Sequence, residues 1–260
     1  MMNIIEVIAK RHSCRTYNGL RLDKATLVTL ADEIKGLPML FDDVAVPDIR
    51  IVDNAEAGGK LGTYGFITGA RQFLVMASGK DVAEQIQAGF MFEALILRAT
   101  ALGLSTCWLG GTFRRGPFSE AFGNLGENQE ISIVSPLGHP TPKRRFAERL
   151  MRRMVKSDHR KPFGELFEGV GEDSTLGRVL EAVRQAPSSS NSQPWRATVT
   201  SDPDKNGAVT VTFRSVSSGR FAPIDMGIAY CHFMLVSQSE SLRWRVEPAG
   251  DSLGLVFHSL

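Results

Sequence analysis

The sequence is poor in cysteine and histidine, and this excludes several classes of protein. Its three cysteines, Cys14, Cys107 and Cys231, lie far apart and form no Cys-x-x-Cys pair. An odd and sparse set does not build a disulfide framework and is typical of a reducing compartment. The five histidines are scattered and lack the His-Glu-x-x-His spacing of zinc hydrolases, so we expect no metal site.

Long hydrophobic runs are also missing. No apolar stretch reaches the roughly 18 residues that a membrane-spanning helix needs. The opening stretch, MMNIIEVIAKRHSCR, places Glu6 among its apolar residues and has no signal-peptide cleavage pattern. We therefore expect a soluble, cytoplasmic protein with no membrane partner.

Three common enzyme motifs are absent. The segment GGKLGTYG lacks the glycine-lysine spacing of a phosphate-binding P-loop, and GVGED follows no predicted strand, as a dinucleotide-binding turn would. No Gly-x-Ser-x-Gly nucleophile occurs.

Charge is nearly balanced, with a formal net charge of +2, but it is uneven along the chain. Residues 143–161 hold nine basic residues against Glu148 and Asp158, with few aromatic residues among them. A nucleic-acid site would interleave basic and aromatic residues and bind with a steep salt dependence. The pattern favours a solvated surface helix with some phosphate contact, so we expect no nucleic-acid partner.

Periodicity predicts an α+β chain with two similar parts. The first part has helices over residues 2–10, 23–35 and 81–102, and strands at DIRIVDN, RQFLVMAS, STCWLGG and EISIVSPLG. From Ser174 the pattern restarts with the helix STLGRVLEAVRQA, the strands WRATVTSD and AVTVTFRS around an Asn-Gly turn, a helix over residues 225–238, and the strands RWRVEP and GLVFHSL.

The central helices of the two parts resemble each other. FMFEALILRATALGLSTCW in the first and MGIAYCHFMLVSQSESLRW in the second are both apolar helices that lead to a tryptophan-containing strand. Such self-similarity indicates duplication. Any two buried helices that precede strands would also look alike, so these segments alone leave both interpretations open.

Three short segments could bind a ligand. Arg11 and Arg15 flank Ser13 just after a helix, and guanidinium groups match phosphate oxygens, although a solvated basic loop would look the same. The run APSSSNSQPW, from Ala186 to Trp195, offers short donors and acceptors but is also ordinary turn chemistry. Gly110 and Gly111 would let a ligand approach backbone N–H groups, or simply form a turn.

Together these segments resemble the nitroreductase family of FMN-dependent oxidoreductases. AKRHSCRTYNG is similar to that family's N-terminal phosphate-binding Arg-x-Ser-x-Arg/Lys segment, and APSSSNSQPW to its second flavin-binding loop. ALGLSTCWLGG is similar to the segment whose backbone N–H faces the flavin N5, and HRKPFGEL to the basic element that also reaches the FMN phosphate. The resemblance covers most of the chain.

The order of the segments departs from that of ordinary family members, in which the serine-asparagine loop follows the arginine segment by a few tens of residues. Here IKGLPMLFDDVAVPDIRIV stands at that place, and the loop lies in the second part. The second part has no arginine segment, and SQSESLRWRVEP, which stands where the first part has TALGLSTCWLGG, has no glycines. Each part therefore has what the other lacks.

Because ordinary members are homodimers that bind FMN at the interface, the resemblance implies an intramolecular pseudo-dimer. Its halves would be residues 1–165 and 166–260, each a mainly antiparallel sheet packed by a central apolar helix. One complete and one dead flavin site would result, and the chain would be a monomer.

The resemblance also implies the roles of single residues. Arg11, Ser13 and Arg160, with Lys161, would neutralise the FMN phosphate, and His12 lies in the same matched segment. Arg15 would lie at the N1/O2 edge of the ring and the N–H of Gly110 or Gly111 at N5. Pro187 belongs to the second loop, from which Ser188 and Asn191 would contact the ribityl chain or ring edge.

The expected activity is ping-pong hydride transfer from NADH or NADPH through flavin N5 to a nitroaromatic, quinone or similar small-molecule acceptor, with no catalytic side chain. The alternative is a flavin-binding, carrier or sensing protein without turnover. That alternative needs a covered flavin face, which Tyr64 or Phe66 could provide.

Overall fold

The computed structural model describes residues 3–141, 159–202, 207–250 and 253–260. Most of the helix predicted within the basic segment, and the Asn-Gly turn predicted near residue 206, lie outside these ranges. Nearly all the other predicted elements are confirmed, within a few residues at their ends.

The first part of the chain contains four helices and four strands among its described residues. They are α1 (Ile4–Lys10), α2 (Lys24–Lys35), β1 (Asp48–Asp53), β2 (Gln72–Ser78), α3 (Val82–Ala101), β3 (Ser105–Thr106), α4 (Arg115–Phe122) and β4 (Glu130–Gly138). Helix α2 begins where predicted because the side chain of Asp23 accepts a hydrogen bond from the N–H of Thr26 at 2.9 Å. Strand β3 is shorter than predicted, and α4 was not predicted.

The second part shares with the first the order helix, two strands, helix, two strands, apart from the extra helix α4 in the first part. It comprises α5 (Phe163–Leu166), β5 (Phe167–Glu168), α6 (Thr175–Arg184), β6 (Trp195–Asp202), β7 (Ala208–Ser215), α7 (Ala222–Ser239), β8 (Trp244–Pro248) and β9 (Leu255–Ser259). Ser174 caps α6 by accepting from the N–H of Gly177 at 2.9 Å. That helix ends at Arg184, two residues before the end predicted at Ala186, and the short α5 was not predicted.

Two sheets with the same strand order make up the β structure. The first has the order β1-β2-β4-β3 and is antiparallel throughout. The second has the order β5-β6-β7-β9-β8, in which β6 to β8 are antiparallel neighbours and β5 joins the edge parallel to β6. The chain thus has the predicted α+β fold with mainly antiparallel sheets.

The apolar helices α3 and α7 cross at two glycines in the main core. A Cβ atom at Gly89 would lie less than 3.0 Å from the carbonyl oxygen of Ile224, and one at Gly227 less than 3.0 Å from that of Ile86. Each glycine therefore faces the residue three positions before the other glycine. None of the helices in the described ranges is both long and apolar enough to cross a membrane.

Candidate functional site

A cleft of about 290 Å³ lies between segments that are remote in the sequence. Its walls come from the segment after α1, the chain beyond β3, the connection before α5, the loop after α6 and the first turns of α7. The predicted site residues that line it are Arg11, Ser13, Arg15, Gly110, Gly111, Arg160, Pro187, Ser188 and Asn191.

Two of the predicted site residues do not line the cleft as the structure describes it. His12 is exposed, and its Nδ1 lies 3.1 Å from the carbonyl oxygen of Lys10. The Nζ atom of Lys161 pairs with Glu165 at 2.9 Å. Both residues are sequence neighbours of arginines that do line the cleft. The sequence motifs therefore identified the correct segments but not every side chain that faces the cleft.

The segment after α1 is fixed by backbone hydrogen bonds to neighbouring chain. Cys14 donates its N–H to the carbonyl oxygen of Thr106 in β3, and Thr68 donates to that of Arg15, both at 2.9 Å. Arg11 Nε and Arg15 Nη1 are buried yet have no hydrogen-bond partner among the described residues. Unpaired buried donors are costly, so these two guanidinium groups fit an anionic ligand that accepts from them.

A buried carboxylate lies behind Arg11. Glu93, in α3, is fully buried, and its Oε1 lies 4.0 Å from Arg11 Nε and 3.0 Å from Nε2 of His232 in α7. Its Oε2 accepts from Nε1 of Trp108 at 2.8 Å. Glu93 is not among the residues predicted from the sequence. Its signal is a single carboxylate inside an apolar helix, because charged residues are rarely buried without a partner.

The loop after α6 has an unusual backbone. Ser190, Asn191 and Gln193 all have positive φ angles, of 51°, 54° and 49°. Two bonds hold this conformation at 2.9 Å: Ser189 N–H donates to Asp225 Oδ1, and Gln193 N–H donates to Ser188 Oγ. Non-glycine residues in this region are strained, and such strain clusters at ligand sites.

Asn191 orients an arginine rather than offering an uncommitted amide to the cleft. Its Oδ1 accepts from Arg160 Nη1 at 3.1 Å, and its Nδ2 donates to the carbonyl oxygen of His159 at 2.9 Å. Arg160 Nη2 donates to the carbonyl oxygen of Gln185 at 3.2 Å. The strained loop thereby places a third guanidinium at the cleft that Arg11 and Arg15 line.

The glycine pair follows β3 at the cleft wall. Leu109 donates to the carbonyl oxygen of Val134 at 2.9 Å, and the chain then turns into Gly110 and Gly111. A Cβ at Gly110 would lie 2.6 Å from the Phe221 ring, whereas one at Gly111 would meet nothing within 4 Å. Within the described ranges, neither glycine donates its N–H to a protein acceptor, so both groups are available to a ligand.

Burial raises the pKa of two ionisable side chains beside the cleft, Asp225 and Cys107. Burial raises the pKa of Asp225 to about 7, although the hydrogen bond from the N–H of Ser189 opposes the shift. Burial also raises the pKa of the Cys107 thiol, so this residue is not a thiolate nucleophile at neutral pH. Asp225 was predicted only as the start of a helix and not as a cleft residue.

The geometry agrees with a comparison against known families. The family model described as "Putative TM nitroreductase" matches residues 3–237. The chain belongs to this nitroreductase family. No curated protein is significantly similar to it.

Solved structures of nitroreductases are similar to the chain. One is the crystal structure of a "putative nitroreductase" from Thermotoga maritima, with a TM-score of 0.64 and 20% identity over 99% of this chain and 93% of that one. A nitroreductase with bound FMN from Desulfitobacterium hafniense has a TM-score of 0.46 and 21% identity over 55% of this chain and 93% of that one. A nitroreductase family protein from Clostridium difficile has a TM-score of 0.46 and 20% identity over 66% of this chain and 99% of that one. The first of these confirms the nitroreductase-like fold.

Proposed function

We propose that this nitroreductase-family protein is an FMN-dependent NAD(P)H oxidoreductase. The observation that carries the proposal is the convergence of three arginines from two remote segments on one cleft, two of them with a buried donor atom that has no hydrogen-bond partner within the described ranges. Such donors suit a phosphate, which guanidinium groups bind strongly. When bound, FMN would take a hydride from a reduced nicotinamide and pass it to a nitroaromatic, quinone or similar acceptor.

Each part of the cleft has a proposed task in holding this cofactor. Arg11, Ser13 and Arg160 bind the phosphate, and Arg15 supplies positive charge at the N1/O2 edge of the ring. The backbone N–H groups of Gly110 and Gly111 donate toward N5. Pro187 and Ser188 form the facing wall, and Asn191 contributes by positioning Arg160 rather than through a contact of its own. His12 and Lys161 lie outside the cleft lining and have no part in this assignment.

We further propose that the chain is a duplicated pseudo-dimer and a monomer in solution. The predicted halves, residues 1–165 and 166–260, would divide α5 (Phe163–Leu166), so we place this helix in the second half. The repeated strand order and the reciprocal glycines support the pseudo-dimer, because residue i meeting j while j meets i is the mark of two-fold related contacts. A second correspondence concerns the loops that precede β1 and β6. Gln87 Oε1 accepts from the N–H groups of Leu40 and Phe41, as Asp225 Oδ1 accepts from that of Ser189. Gln87 and Asp225 each lie two residues before the glycine of their helix.

A second candidate function is flavin binding without turnover. Phe66 lines the cleft, and this observation favours a covered flavin face. Tyr64, the other residue considered as a cover, is exposed on the surface.

The titration of apo-protein with FMN tests the proposed function. We expect quenching of flavin fluorescence to saturate at one equivalent per chain, because the arginines and the serine loop of the described residues meet in the same cleft. The loaded protein should then oxidise NADH or NADPH in the presence of a quinone. Absence of flavin binding would overturn the proposal, two equivalents would overturn the dead second site, and binding without turnover would favour the carrier.

The substitution Arg11→Ala is expected to weaken FMN binding roughly 10- to 150-fold, the equivalent of about 1.5–3 kcal/mol for a charge-assisted hydrogen bond. Equilibrium titration measures this effect. The matched control is Arg245→Ala, in which the lost side chain lies on β8 and pairs with Glu247 at 3.2 Å. Equal affinity of the two variants would contradict the phosphate role of Arg11.

A further inference from the structure

One carboxyl group in the cleft has no assigned task. Asp225 lies in the first turn of α7, is 5% exposed, and lines the cleft together with Ile224 and Ile228. Its Oδ1 accepts one hydrogen bond, from the N–H of Ser189. Its Oδ2 has no hydrogen bond within the described ranges, and because the residue lines the cleft, a ligand there can reach it.

Burial, rather than neighbouring charges, decides the protonation state of the Asp225 carboxyl group. The charged groups that line the cleft with it are Arg11, Arg15 and Arg160; the buried pair of Glu93 and His232 lies next to Arg11, and the paired Arg220 and Glu130 line a neighbouring cavity with Phe221 and Ile224. None of these charges shifts the pKa of Asp225. Burial raises that pKa, and the hydrogen bond from Ser189 lowers it. The group is therefore a solitary acid, whose charge is hardly compensated at close range.

A bound flavin would make the charged form less favourable still. FMN carries a phosphate of about −1.5 to −2 near neutral pH, and its ring would remove the remaining water from Oδ2. A carboxylate at this position would be repelled and desolvated, whereas a carboxylic acid could donate its proton to an acceptor on the cofactor.

We propose that Asp225 contacts the bound flavin as a neutral carboxylic acid, so that flavin binding takes up a proton at this side chain. The inference rests on the proposed function and adds a cofactor contact that the family motifs do not include. Its consequence is an affinity that falls as pH rises, because the free protein must be protonated before the cofactor binds.

The sign follows from the position of the pKa. The pKa of Asp225 in the folded protein is about 7, above the ordinary value of 3.8, so the side chain is neutral below pH 7 and charged above it. Flavin affinity should be constant well below that pH and fall up to tenfold for each pH unit above it. At about pH 9 the loss would reach about a hundredfold.

Titrations of wild type and Asp225→Asn between about pH 5.5 and 9 test this. Riboflavin serves as the first probe, since it lacks the phosphate that itself titrates near pH 6, and FMN as the second. Asparagine keeps an oxygen that accepts from the N–H of Ser189, so the loop should hold its conformation. We expect affinity to fall with pH in wild type and to stay level in Asp225→Asn. Asp173→Asn, at an exposed position, should follow wild type.

Calorimetric titration in buffers of different ionisation enthalpy gives a readout independent of turnover. At about pH 8, wild type should take up nearly one proton per flavin bound, and Asp225→Asn should take up none. Parallel pH curves and equal proton uptake in the two proteins would overturn the role of Asp225. A wild-type protein that binds no flavin at any pH would instead overturn the proposed function.

Discussion

The substitution Glu93→Ala should lower the free energy of unfolding by about 3–5 kcal/mol, the typical cost of breaking a buried charge pair from one side. Glu93 is fully buried and connects two central helices, since it lies in α3 and meets His232 of α7 at 3.0 Å. It also accepts from Trp108 Nε1. Truncation would leave both partners unpaired and open a cavity between them.

The hydrogen bonds of His232 show that His232 and Glu93 share one proton. Its Nδ1 lies 2.8 Å from the carbonyl oxygen of Ala182, which can only accept, so Nδ1 carries a proton. Its Nε2 then either donates to a Glu93 carboxylate or accepts from a protonated Glu93. In both cases the pair holds one shared proton, which a shortened side chain cannot replace.

Urea unfolding followed by circular dichroism measures the effect, with two comparison variants. Glu93→Gln keeps the volume, an acceptor for Trp108 and a donor for Nε2, so we expect a smaller loss of about 1–2 kcal/mol. Glu120→Ala removes an exposed carboxylate from α4 and should be nearly neutral. A Glu93→Ala protein within 1 kcal/mol of wild type would show that the network contributes little to stability.

Local sequence patterns located most of the fold and both walls of the cleft. The capping residues Asp23 and Ser174 mark the starts of α2 and α6, and alternating strands appear as predicted. The segments at Arg11 and Ser188 meet in one cleft although they are remote in the sequence. The elements were predictable because helix caps and strand alternation are short-range patterns.

Features that depend on remote partners were not visible in the sequence. Glu93 and His232 meet across two helices, and Asp225 owes its raised pKa to burial that only the packed fold creates. Asn191 was expected to contact the cofactor, and nothing in the sequence indicated that its amide also bonds to Arg160 and to the carbonyl of His159. A charged residue inside an apolar helix, such as Glu93, indicates that a buried partner is needed. The spacing of residues in the sequence does not identify that partner.

The substitution Gly227→Ala should lower the free energy of unfolding by about 2–3 kcal/mol, although alanine favours helix by about 1 kcal/mol. The added Cβ would lie less than 3.0 Å from the carbonyl oxygen of Ile86 and 2.8 Å from the amide nitrogen of Phe90. Both are backbone atoms of α3, so neither can turn away, and the helices must separate. Gly89→Ala should cost a similar amount, because its Cβ would meet the backbone of Ile224.

The matched control is Gly116→Ala in α4, where a Cβ would meet nothing within 4 Å and the change should be neutral or stabilising by up to about 1 kcal/mol. Urea unfolding compares the three variants. A loss at Gly116 equal to that at Gly227 would show that the effect is not due to the helix crossing.

The double variant Gly89→Ala/Gly227→Ala then tests whether the two glycines form one contact. Once the first Cβ has pushed α3 and α7 apart, the second finds part of its space already open, so the combined loss should fall short of the sum by about 1 kcal/mol. Independent sites would instead add within about 0.5 kcal/mol. Strict additivity would mean that the glycines act in separate places, and it would remove the reciprocal contact from the case for a pseudo-two-fold arrangement of the halves.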